Sequence, residues 1–369
     1  MTTRPRIDGI DFWRGFALVS IFINHAPDNI LGYLTHRNFG FSDAAELFVF
    51  LSGVSVALAY GLRFLDGRVW ESMRALGRRV FTLYWVQILI SLLAVIILIA
   101  SATILDDDDL IDDDDRDTVL GTPVRGIAAI LGLTHQLAFF NILPLYIVLL
   151  LATPALLALA RRDCRLMLLA SAAIYVSARV FDLNIPSWPV EGGWFFNPFA
   201  WQFVFAVGIA VGIGLREGGM LRDAWLFALS LAFVLGSAFV VTNGFGLVPD
   251  LWDWARESLD VGKTDLGVLR LMHFLALAYT IYYSGLTRLL ARTPVFKPLC
   301  VIGRHSLPVF AIGSLIVTVD QVVIDTYAPA VLWTVTILAA GIALQYLVAH
   351  VLALRAHKVR VASVRVPQA

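Results

Sequence analysis

Apolar runs of roughly 18–25 residues recur from one end of this 369-residue chain to the other. Each is long enough to cross a bilayer core of about 30 Å as a helix. Strands of a membrane barrel would instead alternate in polarity over about 10 residues, and that pattern is missing. The chain is 59% hydrophobic and 15% charged, against about 25% charged in soluble domains. Its mean hydropathy is +0.78. The fold expected is therefore all-α, a polytopic membrane bundle of about ten transmembrane helices in one domain, 1–369. The runs are 10–31, 41–62, 79–104, 137–159, 166–183, 197–215, 224–242, 266–288, 306–324 and 330–354. A shorter apolar segment, 124–134, suits a helix lying flat or re-entering.

Basic residues orient the bundle, because cytoplasmic loops carry the excess of Lys and Arg. With the N-terminus inside, 20 of the 28 Lys and Arg fall on one side and five on the other; Arg14, Arg179 and Arg270 sit within or at the ends of helices. Both termini are thus expected in the cytoplasm, in a multi-pass protein. The stretch after Arg4 and Arg6 lacks a small-x-small cleavage site and reads as a retained first helix. Cys164 and Cys300 lie next to basic loops, where a disulfide is not expected, and two cysteines do not make a metal site. The run Asp106 to Asp117 reads as a solvated outer loop, without the spacing of an EF-hand. No Walker loop, HExxH, nucleophile elbow or basic-aromatic patch is present, so neither a metal, a prosthetic group nor nucleic acid is expected. Gly208 and Gly212 read as helix packing.

Ionisable residues inside a membrane face the bundle interior or a water-filled cavity. The first helix holds Asp11, Arg14 and His25. Eleven residues turn a helix by about three turns plus 20°, so Arg14 and His25 share a face and stand about 16 Å apart along the axis. Glu46, early in the second helix, reaches a depth similar to His25, with Asp43 nearer the surface. Either carboxylate suits the orientation of an imidazole; Ser42, Asp43 and Glu46 also read as a helix cap. Asn141 and Tyr146, Gln202, and the i,i+3 pair Arg270 and His273 place more polar groups in the same outer layer. Taken singly, Asn141 and Gln202 read as interhelical hydrogen bonds. Together the layer points to a pocket open to the outside. Trp188, Trp194, Trp201, Trp252 and Trp254 read as interfacial anchors or as stacking surfaces for a sugar.

RIDGIDFWRGFALVSIFINH, followed by THRNFGFSDAAELFVFLSGVSVALAYG, resembles the start of the OpgC proteins, and NILPLYIVLLLATP, FNPFAWQFVFAVG and RLMHFLALAY are similar to later parts of that family. The resemblance covers essentially the whole chain. It implies an O-succinyltransferase of osmoregulated periplasmic glucans in the bacterial inner membrane, related to the acyltransferase-3 membrane family. That wider family carries an Arg-x10-His motif on its first helix, which Arg14 and His25 fit. It also tends to carry Arg-x-x-Arg at the start of the third helix. Here Arg74, Arg78 and Arg79 are followed by Thr82, so the strict motif is broken.

The implied chemistry moves a succinyl (acyl) group from cytoplasmic succinyl-CoA to glucan hydroxyls. His25 is then the base, oriented by Asp43 or Glu46. Arg270 or His273 would stabilise the oxyanion or hold the succinyl carboxylate, and Arg14, Arg78 and Arg79 would receive the phosphates of coenzyme A. The partners expected are the acyl-CoA donor, the glucan acceptor and the lipid bilayer. An acyltransferase for another cell-surface sugar, a transporter of glucan or acyl groups, and a scaffolding subunit remain as alternatives. The sequence does not set the oligomeric state.

Overall fold

The structure is a computed structural model that describes residues 7–27, 29–106, 122–137, 139–216, 218–219, 221–327 and 330–364. Arg4, Arg6 and the acidic run beyond Asp106 lie outside them. The helices are α1 (Asp8–His25), α2 (Ala44–Leu65), α3 (Val69–Leu105), α4 (Pro123–Leu131), α5 (Ile142–Arg162), α6 (Cys164–Val180), α7 (Pro198–Gly214), α8 (Ala224–Val241), α9 (Leu251–Ser258), α10 (Val268–Ser284), α11 (Leu286–Leu290), α12 (Phe296–Arg304), α13 (Ser306–Tyr327) and α14 (Val331–Val364). Short 3-10 turns cover Ile30–Leu34 and His36–Asn38. Among the described residues the extended backbone amounts to one isolated bridge, Pro186 with Gly193.

All ten apolar runs are helical, and 124–134 forms α4. Six helices among the described residues are long and apolar enough to cross a membrane: α2, α3, α5, α8, α13 and α14. The others fall short for visible reasons. Asp8, Asp11 and Arg14 put three charges into the 18 residues of α1, while α6, α7 and α10 have 17 residues each. The protein is an all-helical membrane protein. Helix α8 shows the membrane as solvent most plainly. Trp225, Leu229 and Leu235 are exposed, and the side chains it buries are Ser230 and Ser237.

The chain divides into two compact units, Met1–Thr35 with Ser284–Ala369, and His36–Tyr283. In the first unit, α1 and α12 run antiparallel in very close contact. A Cβ on Gly15 would overlap the Leu299 carbonyl, and one on Gly303 would overlap that of Asp11. Phe12 stacks on Phe296 at 4.8 Å. Asp8 and Asp11 lie in the first turn of α1, where the helix dipole favours negative charge. They also take Arg304, at 2.6 and 3.0 Å. Helix α13 packs on α1 and antiparallel to α14, with Gly313 against Gln345 and Gly341 against Phe22 and Ile316.

In the second unit, α2 crosses α7 through Gly53, Gly208 and Gly212. A Cβ on Gly208 would overlap the Phe50 carbonyl, so the small-residue spacing serves backbone approach, as expected from the sequence. The loop before α10 is pinned from α6 and α7. Arg179 pairs with Asp260 at 2.7 Å, and the Tyr175 hydroxyl donates to the Leu266 carbonyl at 2.7 Å. Trp201 is fully buried and its indole N–H reaches the carbonyls of Lys263 and Thr264, both at 3.1 Å. Read from the sequence as an interfacial or sugar-stacking residue, Trp201 is instead a strut for this loop.

A branched side chain at the α1–α12 contact would force the helices apart, at a cost of about 1–3 kcal/mol by ordinary overpacking and more against backbone. The Gly303→Val protein is expected to lose most of its folded population relative to Gly236→Ala, whose Cβ would meet open space on helical backbone. Fluorescence-detected size-exclusion in detergent measures both.

Candidate functional site

In the second unit, polar groups from α2, α10 and the loops before them converge on Arg270. Asp43 is the N-cap of α2. Its Oδ1 accepts the Ala45 N–H at 2.8 Å, and Glu46 Oε2 accepts the Asp43 N–H at 2.9 Å, which completes a capping box. The same carboxylates face Arg270. Its Nε donates to Glu46 Oε1, and its Nη2 lies 2.8 Å from Asp43 Oδ2. Lys263 reaches that Asp43 oxygen at 2.6 Å. Two carboxylates and two cations thus form a closed, neutral set. Glu46 is wholly buried and Arg270 nearly so, whereas the Lys263 side chain remains 31% exposed.

Burial would push the Asp43 carboxyl up, but the charges of Lys263 and Arg270 overcome it and hold Asp43 well below the usual carboxylate range. His36 lies beside this set. Its imidazole is held below its ordinary pKa by burial, against the opposing pull of Asp43.

His273, three residues after Arg270, packs against Phe41 and Phe233. The Ser42 N–H reaches its Nδ1 at 3.2 Å, and the Ser42 hydroxyl lies 2.8 Å from the same atom. A backbone N–H can only donate, so Nδ1 is the acceptor and the proton resides on Nε2. Nε2 has no hydrogen-bond partner, and Gly40 makes room for it: a Cβ there would overlap the ring. This tautomer makes His273 a donor.

The remaining residues singled out from the sequence lie elsewhere. Gln202 spends its amide on packing. Its Oε1 accepts from the Ser171 hydroxyl at 2.5 Å, and its Nε2 donates to the Ser171 carbonyl at 2.7 Å. It lines an apolar cavity of about 240 Å³ between α5, α6 and α7. Asn141 is buried at the start of α5. Arg78 is exposed and Arg79 half-buried on α3.

In the first unit, Arg14 donates to the Ser306 hydroxyl at 2.5 Å. His25 is half-buried, with Nδ1 at 2.7 Å from the Ile21 carbonyl. A carbonyl can only accept, so Nδ1 carries the proton and Nε2 presents its lone pair. Asp43 and Glu46, expected to orient this imidazole, hold Arg270 and Lys263 as their partners. Arg270, expected to face a substrate, is engaged by both carboxylates.

Sequence reading missed Lys263, His36 and Ser42 as members of the set. Its search followed ionisable residues inside helices, and these three sit in loops. The usable signal was charge balance, since two carboxylates at one depth call for two cations.

A depressed carboxyl stabilises the fold above its unfolded pKa of about 3.9, and that contribution is lost as pH falls below it. Asp43→Asn is therefore expected to lower the unfolding temperature at pH 7. The gap to the unsubstituted protein should close progressively from about pH 4 downward. Thermal unfolding in detergent across pH 3–7 checks the sign, and a gap that widens in acid would contradict it.

Among curated proteins and among solved structures, nothing matches the chain. A family model described as OpgC protein matches residues 6–357. That span takes in α1 to α13 and most of α14, including every residue of the two polar clusters, and the chain belongs to the OpgC family.

Proposed function

We propose that this protein is a membrane O-acyltransferase that moves a succinyl group from cytoplasmic succinyl-CoA to hydroxyls of a periplasmic glucan. In this reading it crosses the bacterial inner membrane about ten times, with both termini in the cytoplasm. Family membership supports glucan modification and a transferase role. The observation that carries the chemistry is the His25 tautomer. With Nδ1–H donated to Ile21 O, Nε2 is the ring nitrogen that carries the lone pair, the tautomer a base on this ring requires.

The donor thioester is already activated, so the chain has to supply a base, positioning and oxyanion stabilisation. The acceptor hydroxyl oxygen forms a bond to the thioester carbonyl carbon while its proton passes to His25 Nε2. The tetrahedral intermediate then collapses, the C–S bond breaks, and the coenzyme A thiolate leaves with the proton that His25 held. Arg14 lies on the same face of α1, about 16 Å from His25 along the axis. It suits the donor's phosphate end, with Arg78 and Arg79 as further cations. Arg270 and Lys263, with His273 as a neutral donor, supply the groups that would recognise a succinyl carboxylate or an oxyanion; Lys263 is the more exposed of the two cations. Asn141 belongs to the same proposed binding layer. Gln202 contributes there through packing.

General-base help is worth about 10²–10⁴-fold in rate. His25→Ala is expected to lose at least 100-fold in succinyl transfer while keeping its unfolding temperature. Mass analysis of periplasmic glucans from cells with the chain, with the variant and without the chain is the measurement. Glucans that carry the same succinyl increment in all three would end the proposal.

A further inference from the structure

Helices α5 and α6 form a hairpin whose turn is a single residue, Asp163, which ends the one helix and caps the next. Counted back from that turn, Leu156 falls level with Ala170, Ala155 with Ser171 and Ala152 with Ile174. These six line the cavity of about 240 Å³ that Gln202 of α7 also borders. The room comes from small side chains, since Ala152, Ala155 and Ala170 stand in helices otherwise rich in leucine.

Water does not suit this cavity, because a buried water needs about two to four polar partners. The polar side chains of the lining are Ser171 and Gln202, and they bond to each other. The Gln202 amide also donates to the Phe199 carbonyl at 3.1 Å. The cavity is open on its outer side, where Ala155, Ile174 and Phe199 are exposed. In a bundle whose solvent is lipid, such an opening meets acyl chains.

Length and charge narrow the occupant further. Along α5 the lining runs from Val148 to Leu159, eleven residues or about 16 Å. One leaflet of a bilayer core is half of about 30 Å, which is about 15 Å. Arg162 continues the same stripe, three residues beyond Leu159 and about 4.5 Å further along the axis. Arg161 and Arg165 flank it at the turn, and all three side chains are exposed. None of the three guanidiniums has an ion-pair partner among the described residues. The one carboxylate at the turn, Asp163, accepts the Arg165 N–H at 2.8 Å as a helix cap. Three cations thus stand against one anion at the mouth of an apolar groove one leaflet long.

We propose that the α5–α6–α7 groove is a binding site for an anionic phospholipid, with one acyl chain in the groove and the phosphodiester on Arg161, Arg162 and Arg165. The lipid belongs to the leaflet on the side of the α5–α6 turn. Apolar contact alone gains little over bulk lipid, since lipid tails are as apolar as leucine. The arginines supply the selectivity, because basic residues beside a membrane attract anionic headgroups. The site is independent of the reaction proposed above and shares none of its charged residues.

The experiment places the full chain in phosphatidylcholine nanodiscs with a trace of phosphatidylglycerol that carries a diazirine midway along one acyl chain. A phosphatidylcholine probe with the same chain is the comparison. After irradiation, labelled positions are mapped by mass spectrometry, and α8, with its exposed Trp225, Leu229 and Leu235, reports bulk lipid. The phosphatidylglycerol probe is expected to label the groove residues of α5 and α6 roughly 10- to 30-fold more than the phosphatidylcholine probe, as two net charges near the surface imply. On α8 the two probes should be equal. Replacing Arg161, Arg162 and Arg165 together by Gln should remove that excess and leave α8 labelling unchanged. Ala155→Phe, at an exposed groove position, should lower groove labelling by both probes. Groove labelling no higher than on α8, equal labelling of the groove by the two probes, or an excess that survives the triple substitution would each overturn the proposal. The last result would leave the arginines the single role of orienting the chain. Should Ala155→Phe fail to accumulate folded, the comparison of probes on the unsubstituted chain decides by itself.

Discussion

Charge cancellation around Arg270 is the constraint on which the second unit depends. A guanidinium withdrawn from water needs counter-charges with good geometry, or its desolvation is uncompensated. Asp43 and Glu46 meet that need from the N-cap and the first turn of one helix, and the capping box holds the two carboxylates in place. The pairing therefore ties the beginning of α2 to α10, although 224 residues separate Glu46 from Arg270. Lys263 closes the set from a loop that Trp201, Tyr175 and Arg179 hold in position. Helix capping, loop anchoring and charge neutrality are one arrangement here, and disturbing any part disturbs the others.

The first unit solves a different problem, that of bringing a charged helix into a membrane protein. Helix α1 opens with Asp8 and Asp11, and Arg304 of α12 neutralises both while the glycines let the two backbones meet. That close seam disposes of the charges at the start of α1. Arg14 and His25 lie further along it, the one held by a hydroxyl and the other by a backbone carbonyl.

Much of this was legible in the sequence because the bilayer demands long apolar helices, and every one of the apolar runs is helical. The Arg14–His25 face followed from helical period alone, and the capping box from its residue pattern at 42–46. The ion-pair partners were not legible. Depth along a helix can be counted, but which helices are neighbours cannot, so Glu46 suited an imidazole on paper and meets a guanidinium in the structure. Gln202 shows the same limit, since only the packing of α6 against α7 reveals that Ser171 takes its amide. The number of spans depends on helix length as well as on hydropathy. Hydropathy windows do not see where a helix ends, and α6, α7 and α10 stop at 17 residues.

The neutrality of the Asp43–Glu46–Arg270–Lys263 set has a consequence for traffic. Four charges that cancel over a few ångströms cast almost no field at a distance, and what remains is screened within about 8 Å in physiological salt. At the other end of α2 and the start of α3 the cancellation is incomplete: Asp66 and Glu71 pair with Arg216 and Arg68, and Arg63, Arg74, Arg78 and Arg79 stand in the same stretch of sequence. An anion carrying several phosphates would be drawn to that rim and ignored at the opposite one, while an uncharged saccharide would feel neither. Solutes differing chiefly in charge would thereby be treated differently at the two ends of α2 before any specific contact formed.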